Sequence, residues 1–401
     1  MTNSDDQTHE QTGENDAREI ADPRAAARAF GAELRVRAPE IERARKLPRD
    51  LSDRFAAAGF YRLYVPEVYG GLELPPAEAM ETVEILAQAD GASGWCVFIG
   101  ATSGSVLASL PEASARAIFA TPNTLLSGVF APRGKAVAEA GGFRVDGQWP
   151  WGSGTQNANW VLAGCQVIRD GKPERLESGA LRSRMLIVPA SQVEFLDTWH
   201  VTGLAGTGST DFAIHDAFVP ESRAVGLGVD RPLPRPLYTF PQFGLLAMGI
   251  AAVALGLGRA AIDELVSLAG AKTPEAGTRA LAARSNVQIE VALAEAELRS
   301  ARAWYYETIA VAWEAATRHG RIEVEHRRDI RLATTFATLA SARAVDRMYT
   351  LAGGTSVYQR SPLQRIFRDV HVATQHMMVG PPTLELAGRL LLGLETDTAM
   401  L

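Results

Sequence analysis

The segment LAGGTSVYQRSPLQRIFRDVHVATQH, residues 351–376, contains the features on which the fold prediction depends. Its Gly353-Gly354 pair predicts the end of a long helix, because glycine readily adopts the left-handed backbone of a helix C-cap. Arg368-Asp369 comes next, and two of the seven histidines in the chain, His371 and His376, close the segment. The segment therefore combines a helix end with groups that titrate or donate hydrogen bonds.

Long apolar-striped helices are predicted on both sides of this segment, over residues 233–401. Four helical stretches of this kind predict a four-helix bundle. The apolar run from Gly244 to Gly258 is shorter than the ~20 residues of a membrane span and is rich in Gly and Ala. It therefore predicts a helix buried among other helices.

Upstream of the bundle the pattern changes twice. Over residues 125–232, short stretches such as GGFRVDGQWPW, NWVLAGCQVI and DFAIHDAFVP alternate with turn residues and predict an antiparallel β-domain. Residues 23–124 have helical spacing, and the polar, acidic residues 1–22 are predicted to form a disordered tail. This helical, β, helical order excludes Rossmann and TIM folds, in which strands and helices alternate throughout.

Composition excludes several functional classes. The chain has 401 residues and a formal net charge of −6, without the Lys/Arg run expected of a nucleic-acid-binding protein. Its two cysteines, Cys96 and Cys165, lack the spacing of a zinc site or a disulfide framework. We therefore predict no metal centre and a reducing, cytoplasmic location.

Four segments resemble motifs of the acyl-CoA dehydrogenase superfamily and occur in the same order. They are YVPEVYGGLEL at 64–74, GQWPWGSGTQNANWVLAG at 147–164, WHVTGLAGTGSTDFAIHDAFVP at 199–220, and the segment at 351–376. The resemblance covers nearly the whole chain after the tail. It implies an α+β fold with an N-terminal helical domain, a middle antiparallel β-barrel domain and a C-terminal four-helix bundle.

The residues immediately after Arg368-Asp369 decide the subfamily. In the dehydrogenases a glutamate after this pair removes the α-proton of the acyl thioester. Alignment on the pair places Met377 at that position, and a methionine cannot accept a proton. The preceding residue is His376, and a histidine here resembles the two-component flavin monooxygenases of the superfamily, in wording most similar to the branch with indole-3-acetate monooxygenases.

This resemblance implies an oxygenase component that takes reduced FMN or FAD from a separate reductase. With molecular oxygen it would hydroxylate a small aromatic substrate, with indole-type compounds among the candidates, through a C4a-hydroperoxyflavin. Three alternatives stay open: an acyl-CoA dehydrogenase with bound FAD and another base such as Glu264, an amine N-hydroxylase, and a homologue that binds without catalysis.

The resemblance also implies the cofactor site. Trp151 would pack on the flavin ring, with Trp149 as the alternative, and the Ser153 hydroxyl would bond flavin N5. Glycine-rich backbone suits close approach to a cofactor. The remaining cofactor candidates lie in two such turns, the second of which is either a helix cap or reaches a neighbouring subunit: Thr207, Gly208, Ser209, Gly353, Gly354 and Thr355.

His376 is the predicted catalytic acid or base, together with Ser153, because a neutral imidazole suits proton transfer near pH 7. Trp95, Thr102 and His371 are the predicted substrate-binding residues. Phenol hydroxylases of this group often carry a further histidine after the tryptophan, and GWCVFIGATSGSVLASLP has none. This departure favours a ring such as indole, which needs no deprotonation.

Assembly and charge complete the predictions. Flat apolar helix faces and a cofactor turn shared between subunits predict a homotetramer, with a dimer as the alternative. Arg259, Lys272 and Arg284 lie in or beside the bundle helices and could pair with the flavin or a substrate carboxylate, although surface charge is the more common explanation.

Overall fold

Five helices precede the first strand in the computed structural model, which describes residues 22–121, 123–226, 230, 232–273 and 278–401. Asp22 caps the first helix, because its carboxylate accepts a hydrogen bond from the Arg24 amide. The rest of the predicted tail lies outside the described residues. The helices are α1 (Pro23–Ala44), α2 (Arg49–Ala57), α3 (Pro76–Ala89), α4 (Gly91–Gly104) and α5 (Glu112–Ile118).

The middle of the chain forms one eight-stranded sheet. Its strands are β1 (Leu126–Glu139), β2 (Gly142–Gly152), β3 (Trp160–Arg169), β4 (Lys172–Pro173), β5 (Ser183–Pro189), β6 (Glu194–Leu196), β7 (Thr210–Pro220) and β8 (Ala224–Val225). The order is β6-β7-β2-β1-β3-β5-β8, and β4 pairs with β3. The antiparallel prediction is confirmed for all pairs except β1 with β3, which is parallel. No pairing joins β6 to β8 among the described residues, so the sheet is not a closed barrel there.

The C-terminal helices are α6 (Gln242–Ala271), α7 (Ser285–His319), α8 (Val324–Ala352), α9 (Pro362–Thr374) and α10 (Pro381–Leu391). Helix α8 ends where predicted, and its cap Gly353 has a φ of 57°. In place of a single fourth bundle helix the chain forms two shorter helices, α9 and α10. Each of them begins at a proline. Their junction, residues 375–380, contains His376.

Two helical segments, Gly91–Ser109 and Gln242–Ala271, have the length and hydropathy of a membrane span, yet most of each is buried inside the protein. They are core helices. At Gly249 the two approach closely, because an added Cβ would lie 2.3 Å from Phe98 Cδ2. The N-terminal and C-terminal helices thus share one hydrophobic core, whereas the sheet has its own. The domain limits drawn from the sequence stay a prediction.

Arg368-Asp369 on α9 attaches the helical core to the sheet. One Asp369 oxygen accepts a hydrogen bond of 2.5 Å from the Leu204 amide, in the turn that precedes β7. Arg368 forms an ion pair of 2.5 Å with Glu42 on α1. The backbones meet at Gly203, where an added Cβ would lie 2.3 Å from the Arg368 carbonyl oxygen. Only glycine permits this contact.

Asp369 is fully enclosed, and this burial raises the pKa of its carboxyl group to about 7. The Leu204 hydrogen bond opposes the change, and the nearby Asp90 carboxylate adds to it. Because the folded state holds this proton more tightly than the unfolded chain, the group stabilises the fold most at low pH. That contribution is lost as the pH rises from about 4 through 7.

We expect Asp369→Asn to reduce this pH dependence, because an amide keeps the acceptor for the Leu204 N–H and does not ionise. Between pH 5 and pH 8 the wild-type protein should lose roughly 2–3 kcal/mol of unfolding free energy relative to the variant. Chemical denaturation at both pH values measures this difference. Asp170→Asn, at an exposed turn, is the control, and parallel wild-type and Asp369→Asn curves would contradict the assignment.

Candidate active site

A chain of hydrogen-bonded side chains joins α4 to the sheet. The Trp95 Nε1–H donates to Ser153 Oγ over 3.1 Å. Ser153 Oγ lies 2.6 Å from Ser209 Oγ, which lies 2.7 Å from Thr207 Oγ1. Thr207 in turn donates to the Leu204 carbonyl over 2.8 Å. All four polar side chains are buried, and three of them are predicted cofactor residues.

The hydrogen bond from Thr207 to the Leu204 carbonyl determines which hydroxyl donates in each of the other hydrogen bonds of this chain. A carbonyl oxygen only accepts, so the single Thr207 hydroxyl proton points to Leu204. Ser209 must then donate to Thr207, and Ser153 must donate to Ser209. Ser153 also accepts from Trp95, which leaves its oxygen with one free lone pair and no free proton. This oxygen is therefore prepared to accept one further hydrogen bond.

Trp149 and Trp151 occupy opposite environments, although both lie on β2. Trp149 is fully buried, donates from Nε1 to the Gly164 carbonyl over 2.7 Å, and stacks on Phe212. Trp151 is 66% exposed and has a φ of 64°, a left-handed conformation that is unfavourable for a bulky residue. A register shift between Trp149 and Gly152 in the β2–β7 pairing accompanies this change of direction. The two residues are not interchangeable.

His376 lies in the junction between α9 and α10, and its ring centroid is 6.0 Å from that of Trp95. The Met378 amide donates to His376 Nδ1 over 3.2 Å, which places the proton of the neutral ring on Nε2. Burial lowers the pKa of His376 to about 4, and the positive charge of Arg331 lowers it further. At neutral pH the side chain is therefore an uncharged donor.

Neither Met377 nor Glu264, the two positions considered for a catalytic base or carboxylate, faces His376. Met377, aligned with the dehydrogenase glutamate, is 65% exposed. Glu264 lines a separate cavity of about 430 Å³ at the start of α4, together with Asp90, Asp369 and Arg365. That cavity contains neither Ser153 nor His376.

Other predicted residues make contacts of their own. The Thr102 hydroxyl donates to the Phe98 carbonyl over 2.9 Å within α4. His371 lies on α9, where its Nε2 is 2.8 Å from Asp346 Oδ1. Neither side chain is brought to Ser153, and their substrate-binding roles stay a prediction.

The Gly353-Gly354-Thr355 turn lies at the end of α8, with both glycines exposed. Thr355 Oγ1 accepts a hydrogen bond of 2.6 Å from Lys272 Nζ. The turn does not meet Ser153 of the same chain. Gly208, by contrast, lies beside the hydroxyl chain with a φ of 56°.

Of the three cations named from the sequence, Arg259 and Lys272 form ion pairs or hydrogen bonds within the protein. Arg259 pairs with Glu295 at 2.5 Å and with Asp263 at 2.8 Å, and Lys272 also donates to the Ala352 carbonyl. Arg284 stands at the start of α7. The buried cation that the sequence pattern does not single out is Arg331, within the run IRLATTFATLA of α8. One arginine among small and apolar residues is the signal that could have identified it.

Two family models match the chain. The acyl-CoA dehydrogenase N-terminal domain matches residues 18–113, and the acyl-CoA dehydrogenase C-terminal domain matches residues 248–381. These matches cover the helical regions on either side of the sheet.

Three relatives are similar over nearly the whole chain. Indole-3-acetate monooxygenase of Pseudomonas putida is 36% identical, over 90% of this chain and 92% of its own. The flavin-dependent monooxygenase oxygenase subunit HsaA of Mycobacterium tuberculosis is 30% identical over 87% and 89%. Its crystal structure has a TM-score of 0.86 at 26% identity, covering 96% of this chain and 100% of that one. XiaF from Streptomyces, solved with FADH2 and glycerol, has a TM-score of 0.84 at 25% identity over 94% and 97%.

We expect Trp151→Gly to be more stable than Trp151→Ala, because glycine adopts the left-handed backbone at this position without a steric penalty. The difference in unfolding free energy should be about 1 kcal/mol. Chemical denaturation of the two variants measures it. Trp149→Ala is the comparison for a buried indole and should lose roughly 3–5 kcal/mol. Equal stability of the two Trp151 variants would show that the backbone is not strained there.

Proposed function

The chain belongs to the flavin-dependent monooxygenases of the acyl-CoA dehydrogenase superfamily, and on that premise we propose that it hydroxylates the ring of a small indole-type compound. As an oxygenase component it acts with a separate flavin reductase on an aromatic substrate. The observation that carries the proposal is His376, a neutral hydrogen-bond donor beside Trp95, one residue before the position at which the dehydrogenases have a carboxylate.

Two features of the sheet fit a flavin. Trp151 presents an uncovered indole face on strained backbone, and strain of this kind persists where a ligand or function requires it. Two residues further, Ser153 offers a buried oxygen with one free lone pair. We assign Trp151 to the ring and Ser153 to N5 of FMN or FAD. Bound reduced flavin supplies the two electrons that activate molecular oxygen for insertion of one atom into the ring.

The hydroxyl chain selects the redox state of this cofactor. N5 of a reduced flavin carries a hydrogen, whereas N5 of an oxidised flavin is only an acceptor. Because the Ser153 proton is already donated to Ser209, Ser153 can accept from the reduced form but has no proton to offer the oxidised form. This arrangement suits an enzyme that takes reduced flavin from a reductase and releases it oxidised.

His376 holds a proton at Nε2 and points no free lone pair into the site, because Nδ1 already accepts from Met378. With a pKa of about 4, the ring is a poor proton acceptor at neutral pH. We therefore assign it the role of donor to an oxygen atom rather than of base. The Trp95 ring, which lies 6.0 Å from that of His376 and packs on Phe98, provides an apolar neighbour that helps to keep water away from this donor.

Among the described residues no carboxylate bonds His376, and this favours an indole over a phenol. Phenols react through the phenolate and need a proton acceptor, whereas the electron-rich indole ring does not. In the described part of the chain, Thr102 and the neighbouring Ser105 donate to backbone carbonyls and supply no such base. The Pseudomonas relative named for indole-3-acetate supports the same class.

We also propose a cytoplasmic homotetramer, with a dimer as the alternative. The exposed glycines of the Gly353–Thr355 turn and the apolar side chains of Ile289 and Leu293, exposed along α7, support contacts between subunits. Both cysteines are unpaired and buried, which suits a reducing compartment.

The variant Ser209→Ala tests whether the hydroxyl chain makes the protein bind reduced flavin in preference to oxidised flavin. The variant frees the Ser153 proton, so the preference for reduced over oxidised flavin should narrow by about tenfold, the value of one hydrogen bond. Dissociation constants for both redox states, measured without oxygen, report the ratio. Ser127→Ala is the matched control, because Ser127 bonds only the Ser153 backbone carbonyl. An unchanged ratio in Ser209→Ala would refute the proton order.

His376→Ala tests the proposed function itself. We expect the variant to keep its affinity for reduced flavin but to form at least ~10-fold less hydroxylated indole per oxygen consumed, since a catalytic hydrogen-bonding group is worth 10-fold or more. His376→Gln keeps an N–H donor and should recover part of the loss. The measurement is product by chromatography against oxygen uptake, with the exposed His319→Ala as control. Full coupling in His376→Ala would overturn the assignment.

A further inference from the structure

The cavity of about 430 Å³ at the start of α4 is separate from the proposed flavin site and has an unusual wall. Residues of α1, α3, α4, α6 and α9 line it, so it is enclosed by five helices. Small and apolar residues make up most of the wall. The rest includes four acidic and two basic side chains: Asp90, Asp263, Glu264, Asp369, Arg35 and Arg365.

Two of these carboxylates are buried and only half used. Asp90 and Asp369 are each 4% exposed. Asp90 caps α4 with Oδ2, which accepts from the Ser93 amide over 2.8 Å and from its hydroxyl over 2.7 Å, and Asp369 accepts from Leu204 with Oδ1. The second oxygen of each has no hydrogen-bond partner among the described residues. Neither oxygen is fully enclosed and both residues line the cavity, so these two oxygens face its interior.

The positive charges of the wall do not balance the negative ones. Asp263 pairs with Arg259 at 2.8 Å, and Arg35 is exposed. Arg365 is the cation that acts on all three remaining carboxylates, although it forms an ion pair with none of the described acidic residues. Those three are Asp90, Glu264 and Asp369. Because buried carboxylates without a counter-charge are costly, the cavity lacks one cation.

We propose that this cavity binds a small primary alkylammonium ion, which donates to Asp90 and Asp369 and lays its carbon chain along the apolar wall. The three N–H groups of an ammonium point in different directions and can therefore serve acceptors on two separate helices. The planar guanidinium group instead matches both oxygens of one carboxylate, and here each carboxylate has only one oxygen left. The inference goes beyond the proposed hydroxylation, since the cavity contains neither Ser153 nor His376.

Binding of n-butylamine and of its neutral analogue 1-butanol to the full chain tests the proposal. We expect calorimetric dissociation constants at pH 8 to favour the amine by at least ~10-fold, the gain expected of charge-assisted hydrogen bonds. Tetramethylammonium, which has no N–H group, and n-butylguanidine should both bind more weakly than the amine. Equal affinity for amine and alcohol would overturn the proposal and show a cavity that holds only water.

Two variants with opposite expected effects identify the residues. Asp90→Asn removes a charge and should weaken amine binding by ~10-fold or more, while asparagine caps α4 as well as aspartate does. Arg365→Met removes a competing positive charge and should strengthen it. Asp170→Asn, at an exposed turn, is the control. An Arg365→Met variant that loses affinity, or an Asp90→Asn variant that keeps it, would contradict the assignment.

The bound cation should also displace a proton from Asp369. The charges of Asp90 and of Glu42 on α1 raise the pKa of this carboxyl group and Arg365 lowers it, but burial dominates and holds it at about 7. Because the amine pairs with the ionised form, and stays charged itself up to pH 8, its affinity should rise by at least ~10-fold from pH 5 to pH 8.

Asp369→Asn has no such proton and should bind the amine weakly with little dependence on pH. The Leu204 contact survives in this variant, because an amide oxygen still accepts. A wild-type affinity that is constant from pH 5 to pH 8 would exclude Asp369 from the site. None of these measurements requires flavin or turnover, so their outcome is independent of the proposed hydroxylation.

Discussion

The hydrogen bond from the Leu204 amide to the buried Asp369 carboxyl is the contact on which the site depends. It fixes the glycine-rich turn before β7 to helix α9. On one side of the bond the turn positions Thr207 and Ser209, and through them Ser153. On the other side α9 ends and presents His376. The hydrogen bond from Trp95 to Ser153 joins the same two parts of the molecule a second time.

Two polar groups in the site, Ser153 and His376, each have one specific unmet hydrogen-bonding requirement. Ser153 has a lone pair but no free proton, and His376 has an N–H but no free lone pair. Each requirement arises because neighbours already use the rest of the group's hydrogen-bonding capacity. Together they describe a site for a reduced flavin and an oxygen atom, and neither group is a free base. This set of requirements distinguishes the site from that of a dehydrogenase.

The sequence was sufficient for the fold and for the class of enzyme, because motif order and the His376-Met377 pair are local features. It could not distinguish Trp149 from Trp151, since two residues at i and i+2 on a regular strand share a face. A register shift in the β2–β7 pairing turns one inward and the other outward. The parallel β1–β3 pair and the division of the fourth bundle helix also depend on long-range packing. The burial of Arg331 was not predicted because an arginine on a helix usually extends its charge to water.

Incorporation of labelled oxygen tests the central claim most directly, that this site inserts one atom of molecular oxygen into an indole ring. The wild-type protein is mixed with reduced flavin, indole-3-acetate and oxygen-18 gas in unlabelled water, and the product is analysed by mass spectrometry. We expect a ring-hydroxylated product that carries one labelled oxygen atom, with the second atom in water. An unlabelled product, or label found only in free hydrogen peroxide, would contradict the account.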